Sequence, residues 1–285
     1  MKSESSSSRL KKWLKPYVPA RVSAFPFIAL RRMASWRRRF FRPNMWDPPP
    51  EVGCPGGGEF GEVGRHLVGL LTSLGGLRPE HRVLDVGCSN GRVAAPLTRF
   101  LAAPGRYEGL DISRASIRWC RAAIGRRHGN FRFTFVNVRN GQYNPRGRVA
   151  PEDFSFPFPA RAFDFVFLTS VFTHMLPAEI RRYLAEIARV LSPGGRIFAT
   201  FFIVPASKDA PAQGDLRIDH AGPGYRTSNP EIPEEAIAYE EAVLRDWFRA
   251  AGFEIVEPIH RGSWSRLQDG VSFQDLVVAT RRAQD

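Results

Sequence analysis

A chain of 285 residues, 43% hydrophobic and 24% charged, is an ordinary globular protein with room for one large core. Its three cysteines, Cys54, Cys88 and Cys120, are too few and too scattered for a disulfide framework or a zinc site. No metal is therefore expected, and a reducing, cytoplasmic setting is. The net charge of +13 is localised: residues 1–42 hold twelve Lys/Arg against one acid, Glu4, a net +11, which leaves only +2 for the rest.

The basic arm, residues 1–42, interleaves its charges with Trp13, Tyr17, Phe25, Phe27, Trp36, Phe40 and Phe41. Basic residues mixed with aromatics suit peripheral contact with an anionic membrane. The uncharged stretch Val22–Leu30 is interrupted by Pro26 and falls far below the roughly 18–20 apolar residues of a membrane span. No secretory signal follows Lys2. A solvated tail and an organelle transit peptide are the competing readings of the same composition. Residues 43–58, rich in Pro and Gly, form a linker. The remainder, 59–285, reads as a single domain.

Val63, Leu67, Leu70, Leu71 and Leu74 recur at helical spacing, and Gly75–Gly76 stops that helix. Strands and helices then alternate. Arg82–Val86 reads as a strand, Asn90–Leu101 as a helix and Tyr107–Ile112 as a strand. Ser113 caps a helix to Arg127. Phe131–Val138 and Phe163–Phe172 read as strands. Pro177 opens a helix to Leu191, which "SPGG" ends, and Arg196–Val204 is a strand. Pro205–Pro233 is polar and too long for a plain connection, so an insertion over the substrate is expected near 205–233. A helix from Glu234 to Ala251 and the strands "GFEIVEPIH" and "FQDLVVATR" close the chain. Such alternation predicts a parallel sheet with helices on both faces, and a ligand site beyond the carboxyl ends of its strands.

The turn after the first strand, "VLDVGCSNGR", departs from the dinucleotide fingerprint G-x-G-x-x-G by placing Ser89 at the second glycine. With "YEGLDIS", "FDFVFLTSVFTHML" and "RVLSPGGRIFAT", in that order and spacing, it resembles the class I S-adenosylmethionine-dependent methyltransferases from Phe60 to Arg281. The resemblance implies an α/β, Rossmann-like, seven-stranded mixed sheet with helices on both faces and the last strand antiparallel. It implies S-adenosyl-L-methionine as cofactor. Gly87, Cys88, Ser89, Asn90 and Gly91 would line its methionine part, and Asp111 would accept the ribose hydroxyls. Asn137 and Val138 would meet adenine, with Ile112, Leu168 and Thr169 completing the binding set.

Asp85, at the strand end, either organises the loop or faces the cationic amino-acid end. Two departures stand out. If Ser89 occupies a position requiring φ > 0, it is strained by about 1 kcal/mol. Asn137 replaces the family's usual acid with an uncharged acceptor.

Methyl transfer needs alignment more than metal or covalent catalysis, and a base where the acceptor is a hydroxyl. His174, just after the fourth strand, stands at the correct edge of the sheet for that base; packing or capping of the next helix is the alternative. The expected acceptor is a small or lipid-linked molecule, a sugar hydroxyl among the candidates. A nucleic-acid (RNA) methyltransferase and a non-catalytic cofactor-binding protein are the other readings. The first draws on the basic arm, but "TSVFTHML" is not the Asn/Asp-Pro-Pro-aromatic motif of amino-directed DNA enzymes, and "WDPPP" at 46–50 has no strand before it.

Overall fold

A computed structural model describes residues 59–204, 216–265 and 270–283, together with 48 and 52. The basic arm, almost all of the 43–58 linker, Cys54 and residues 205–215 of the expected insertion lie outside the described residues.

The order of elements follows from alternating apolar runs punctuated by glycine, proline and helix caps. Helix α1 (Phe60–Ser73) precedes strand β1 (Arg82–Val86), helix α2 (Ala94–Phe100) and strand β2 (Arg106–Asp111). Helix α3 (Arg114–Cys120) is capped by Ser113, whose hydroxyl accepts from the Ser116 N–H, and widens into a π-turn at Arg121–Gly125. Strand β3 (Phe131–Phe135) and strand β4 (Phe163–Leu168) follow. Helix α4 (Pro177–Val190) has proline in its first turn, and Glu179 reaches back to the Leu176 N–H. Strand β5 (Leu191–Val204) is fourteen residues long.

Five strands are parallel in the order β3-β2-β1-β4-β5. Strand β10 (Asp275–Arg281) adds antiparallel to β5, and β9 (Phe253–His260) antiparallel to β10. These seven strands match the expected sheet. A three-stranded extension enlarges it. The far end of β5 pairs with β8 (Ile237–Glu240), which continues through β7 (Tyr225–Thr227) to β6 (His220–Gly222). Residues 234–251 are therefore not one helix. They divide into a 3₁₀ turn, strand β8 and helix α5 (Glu241–Ala250).

Period-2 alternation distributes the apolar residues to two cores. Leu84, Val86, Val166, Leu168, Ile197 and Ala199 face α4 and α5, where they meet Ile180, Leu184, Leu244 and Phe248. Val83, Phe165, Phe167 and Phe198 face the other way, onto Leu71, Leu97, Ile117 and Ile124 of α1–α3 and the π-turn. Burial of both sheet faces explains why β4 reads as a near-continuous apolar run. At the amino end of the sheet, Asp164 receives Arg82 through the backbone N–H (2.9 Å), Nε (2.9 Å) and Nη2 (2.6 Å), joining β1 to β4 far from the carboxyl edge. No helix among the described residues is long and apolar enough to cross a membrane.

Candidate active site

At the carboxyl ends of β1, β2 and β4 lies a cavity of about 710 Å³. Its size is that of a small-molecule site. Of the residues singled out from sequence, Asp85, Gly87, Cys88, Ser89, Asn90, Asp111, Ile112, Val138, Thr169 and His174 line it.

Gly91, Asn137 and Leu168 lie elsewhere, each for a physical reason. Gly91 has φ +79°, and a side chain there would meet Ile124 Cδ1 at 2.9 Å and Cys120 Sγ at 3.0 Å, so its role is close packing of the loop on the following helix. Asn137 lies past the end of β3 between Val136 and Val138, which do line the cavity; its backbone carbonyl accepts the Arg148 and Val149 N–H groups. Leu168 is fully buried in the α4–α5 core.

The loop after β1 alternates left-handed residues: Gly87 at φ +84°, Ser89 at +48° and Gly91 at +79°. Ser89 thus occupies a glycine-type conformation. It is held there by its N–H, which donates to Asp111 Oδ2 (2.7 Å), and by its carbonyl, which accepts the Cys120 thiol (3.4 Å). Ser89→Gly is expected to raise unfolding stability by about 0.5 kcal/mol, because the relief of left-handed strain exceeds the entropy glycine adds to the unfolded chain. Urea unfolding measures this, and a loss of stability would place no strain at Ser89. Cys88 is buried, and burial drives its thiol well above the usual range, which makes it a packing residue and not a nucleophile.

Two carboxylates face this half of the cavity. Asp85 is 1% exposed; its Oδ2 accepts the Tyr107 hydroxyl at 2.6 Å, and its Oδ1 has no partner. Burial pushes its pKa up to about 8, opposed by the Tyr107 bond and reinforced by the charge of Asp111. Asp111 accepts the Ser89 N–H on one oxygen and the Ser113 N–H on the other (2.6 Å). Burial raises its pKa too, and those two bonds oppose the rise. Each of its oxygens retains a lone pair.

The other half was invisible from sequence. It is assembled by loops far apart in the chain: Asn140, Tyr143, Pro151, Phe154, Glu235, Ala236, Ser272, Phe273 and Gln274, with Leu216, Met175, Glu179, Tyr183 and Phe202. His174 sits in a 3₁₀ turn (Phe172–His174) between these walls. Its Nδ1 is 2.9 Å from the Glu234 carbonyl, which can only accept, so Nδ1 carries the proton and Nε2 the lone pair. Ser170 Oγ and the Tyr143 hydroxyl lie 3.4 and 3.5 Å from Nε2, too far to commit it.

Burial lowers the His174 pKa, against the hydrogen bonds the ring donates to the Glu234 and Glu235 backbone. The turn at 140–144 supports the ring: Asn140 Nδ2 donates to the His174 carbonyl (2.8 Å), while the Gly141 N–H holds Glu234 Oε1 (2.9 Å). Glu179 is buried, and desolvation raises its carboxyl to about 7, opposed by the Leu176 N–H. Among the described residues, no group of three or more His, Cys, Asp or Glu could hold a metal ion.

The family model described as "Methyltransferase domain" matches residues 84–199. Nocamycin O-methyltransferase of Saccharothrix syringae is 31% identical over 210 residues, 70% of this chain and 68% of that protein. The chain belongs to the class I S-adenosylmethionine-dependent methyltransferases. A phthiotriol/phenolphthiotriol dimycocerosates methyltransferase of Mycobacterium ulcerans is 35% identical over 156 residues, 55% of this chain and 49% of that protein. The chain therefore spans about half the length of that methyltransferase. The fold is shared with a solved S-adenosylmethionine-dependent methyltransferase of Methanosarcina mazei, at TM-score 0.51 and 21% identity over 73% of this chain and 95% of that one. S-adenosylmethionine is the cofactor of this methyltransferase family.

Proposed function

We propose that the protein methylates a hydroxyl group of an apolar small-molecule or lipid-linked acceptor, a sugar hydroxyl included, at the expense of S-adenosylmethionine. The observation that carries this reading is His174: a neutral imidazole with its lone pair at Nε2, in the same cavity as Asp85 and Asp111.

The β1–β2 half of the cavity fits the cofactor. When bound, S-adenosylmethionine supplies an electrophilic methyl group on a sulfonium. The partnerless Oδ1 of Asp85 is a buried acceptor suited to the α-ammonium group. The remaining lone pairs of Asp111 suit the ribose hydroxyls, and Val136 and Val138 offer apolar contact to adenine. Gly87 lets the loop pass close to Val171, whose Cγ2 would lie 2.4 Å from a side chain at 87.

The loop-built half fits the acceptor. Tyr143, Phe154, Tyr183, Phe202 and Phe273 supply aromatic surface, and His174 Nε2 accepts the proton that the hydroxyl loses as its oxygen gains the methyl group. Burial keeps His174 neutral near pH 7, in the form able to accept. The relatives agree with this class of acceptor: one is named for nocamycin O-methylation and another for phthiotriol and phenolphthiotriol dimycocerosates.

Incubating the protein with methyl-labelled cofactor and a fractionated cell extract tests the reading. Label is expected in a solvent-extractable product whose bond survives mild alkali, as an ether does and an ester does not. Label confined to RNA, or no transfer to any fraction, would overturn it.

A further inference from the structure

Two aromatic side chains of the acceptor half, Tyr143 and Phe273, also stand out at the protein surface, with Val271 beside them. Tyr143, Val271 and Phe273 are large apolar side chains, 51%, 51% and 56% exposed. Tyr143 and Phe273 line the cavity, and Val271 precedes Ser272 of its wall. Gln274 Nε2 donates to Ser170 Oγ (2.9 Å), Ser170 Oγ lies 3.4 Å from His174 Nε2, and the Tyr143 hydroxyl lies 3.5 Å from the same nitrogen.

Hydrogen bonds anchor the backbone that carries Val271 and Tyr143. The Val271 carbonyl is bonded to the His66 ring (2.9 Å), and the Tyr143 N–H donates to Asn140 Oδ1 (3.0 Å). Phe273 has a ring contact with Phe202 at 6.1 Å, edge to face, and still leaves more than half its surface in water. A rim of fixed, exposed apolar groups around a pocket marks an interaction surface.

The chain itself indicates the occupant. Residues 1–42, with net charge +11 and interleaved Trp and Phe, end ten residues before Val52, which lies in the cavity wall. Ten residues span at most about 36 Å. Apolar anchors and a polybasic segment on one chain are the two signals that together give stable attachment to an anionic bilayer. A nucleic acid would use the basic segment but gain nothing from Val271 and Phe273, and residues 43–285 add only +2.

We propose that the cavity mouth is a membrane-docking surface: Tyr143, Val271 and Phe273 enter the interfacial layer of an anionic bilayer, with residues 1–42 bound to its headgroups. The proposal rests on the reading of the loop-built half as the acceptor's, since Tyr143 and Phe273 belong to both, while vesicle binding and quenching need no turnover and so test it apart from that reading. It places the acceptor-binding half of the cavity against lipid.

The test uses the full chain and vesicles of phosphatidylcholine with or without phosphatidylglycerol. Sedimentation with the anionic vesicles alone, weakened by salt, is expected. Combining Val271→Ser with Phe273→Ser is expected to weaken binding by about tenfold. Reversing Arg37, Arg38 and Arg39 to Glu is expected to remove the preference for anionic lipid.

Tyr143→Trp gives a reading that does not depend on loss of binding. Its fluorescence is expected to be quenched by brominated acyl chains beyond the quenching of the unsubstituted protein. Unaltered binding by the doubly substituted rim, or no added quenching at position 143 in the vesicle-bound protein, would overturn the docking surface. Preference for an RNA oligonucleotide over anionic vesicles would overturn the membrane as partner.

Discussion

His174→Ala is expected to lower kcat by about 10²–10⁴-fold, the range general-base catalysis contributes, while leaving cofactor affinity within about twofold. The expectation follows from the hydrogen bond at Nδ1. Because the Glu234 carbonyl fixes the proton on that nitrogen, Nε2 is presented to the cavity as an acceptor in every neutral molecule, without a tautomeric equilibrium to work against. The sign of the pH dependence follows as well. Burial lowers the His174 pKa, so the imidazole stays neutral to a lower pH than an ordinary histidine. Turnover is expected to fall on the acid side with a midpoint below about 6.5, and His174→Ala should abolish that limb. Measurement of kcat against pH on an identified acceptor, with calorimetry of the cofactor alongside, separates the base from a merely structural histidine. Turnover within threefold of the unsubstituted enzyme would remove the base.

The supports of His174 explain why this half of the site was hard to read in the sequence. The strand ends follow from period-2 apolar runs, and the glycine loop and Asp111 lie on or beside them, so the β1–β2 wall of the cavity was legible. The ring of His174 is instead fixed by Glu234, sixty residues downstream, and its backbone by Asn140, thirty-four upstream. Neither lies in a periodic segment. Residues 237–251 present a related difficulty. "IAYEEAVLRDWF" has helical composition throughout, yet Ile237–Glu240 is a strand because β5 runs on through Phe202–Val204 and offers it a parallel partner. Tertiary pairing outweighs local propensity there. The remaining discrepancy lies just past the end of β3: a polar residue at 137 resembles a ligand, but its carbonyl is taken by the Arg148 and Val149 N–H groups and the cavity is lined by Val136 and Val138.

Cofactor binding is expected to release a proton, and Asp85 is its source. The free protein holds this carboxyl at a pKa of about 8, chiefly because it is buried, so at pH 7 it is mostly protonated. A cationic group against Oδ1 favours the carboxylate, and the proton must leave as the cation arrives. Affinity for S-adenosylmethionine should rise about tenfold per pH unit below about 8 and gain no more above it, where the ligand's own α-amino group sheds its proton. Calorimetry in two buffers of different ionisation enthalpy counts the proton directly. Asp85→Asn should flatten the profile and weaken binding about 10–100-fold above pH 8, the loss of one charge-assisted contact. The linked effect on folding has the opposite sign. A carboxyl whose pKa is higher in the folded than in the unfolded chain makes the folded state bind the extra proton, so stability contributed by Asp85 falls as pH rises from about 4 to about 8. Asp85→Asn should remove that fall, and unfolding measured across the interval reads it without any cofactor. Cofactor affinity that does not change between pH 6 and 8, in a protein whose Asp85 titrates near 8, would show that no positive group of the ligand meets Oδ1. The orphaned oxygen would then belong to the packing of Tyr107 against the loop and not to the cofactor.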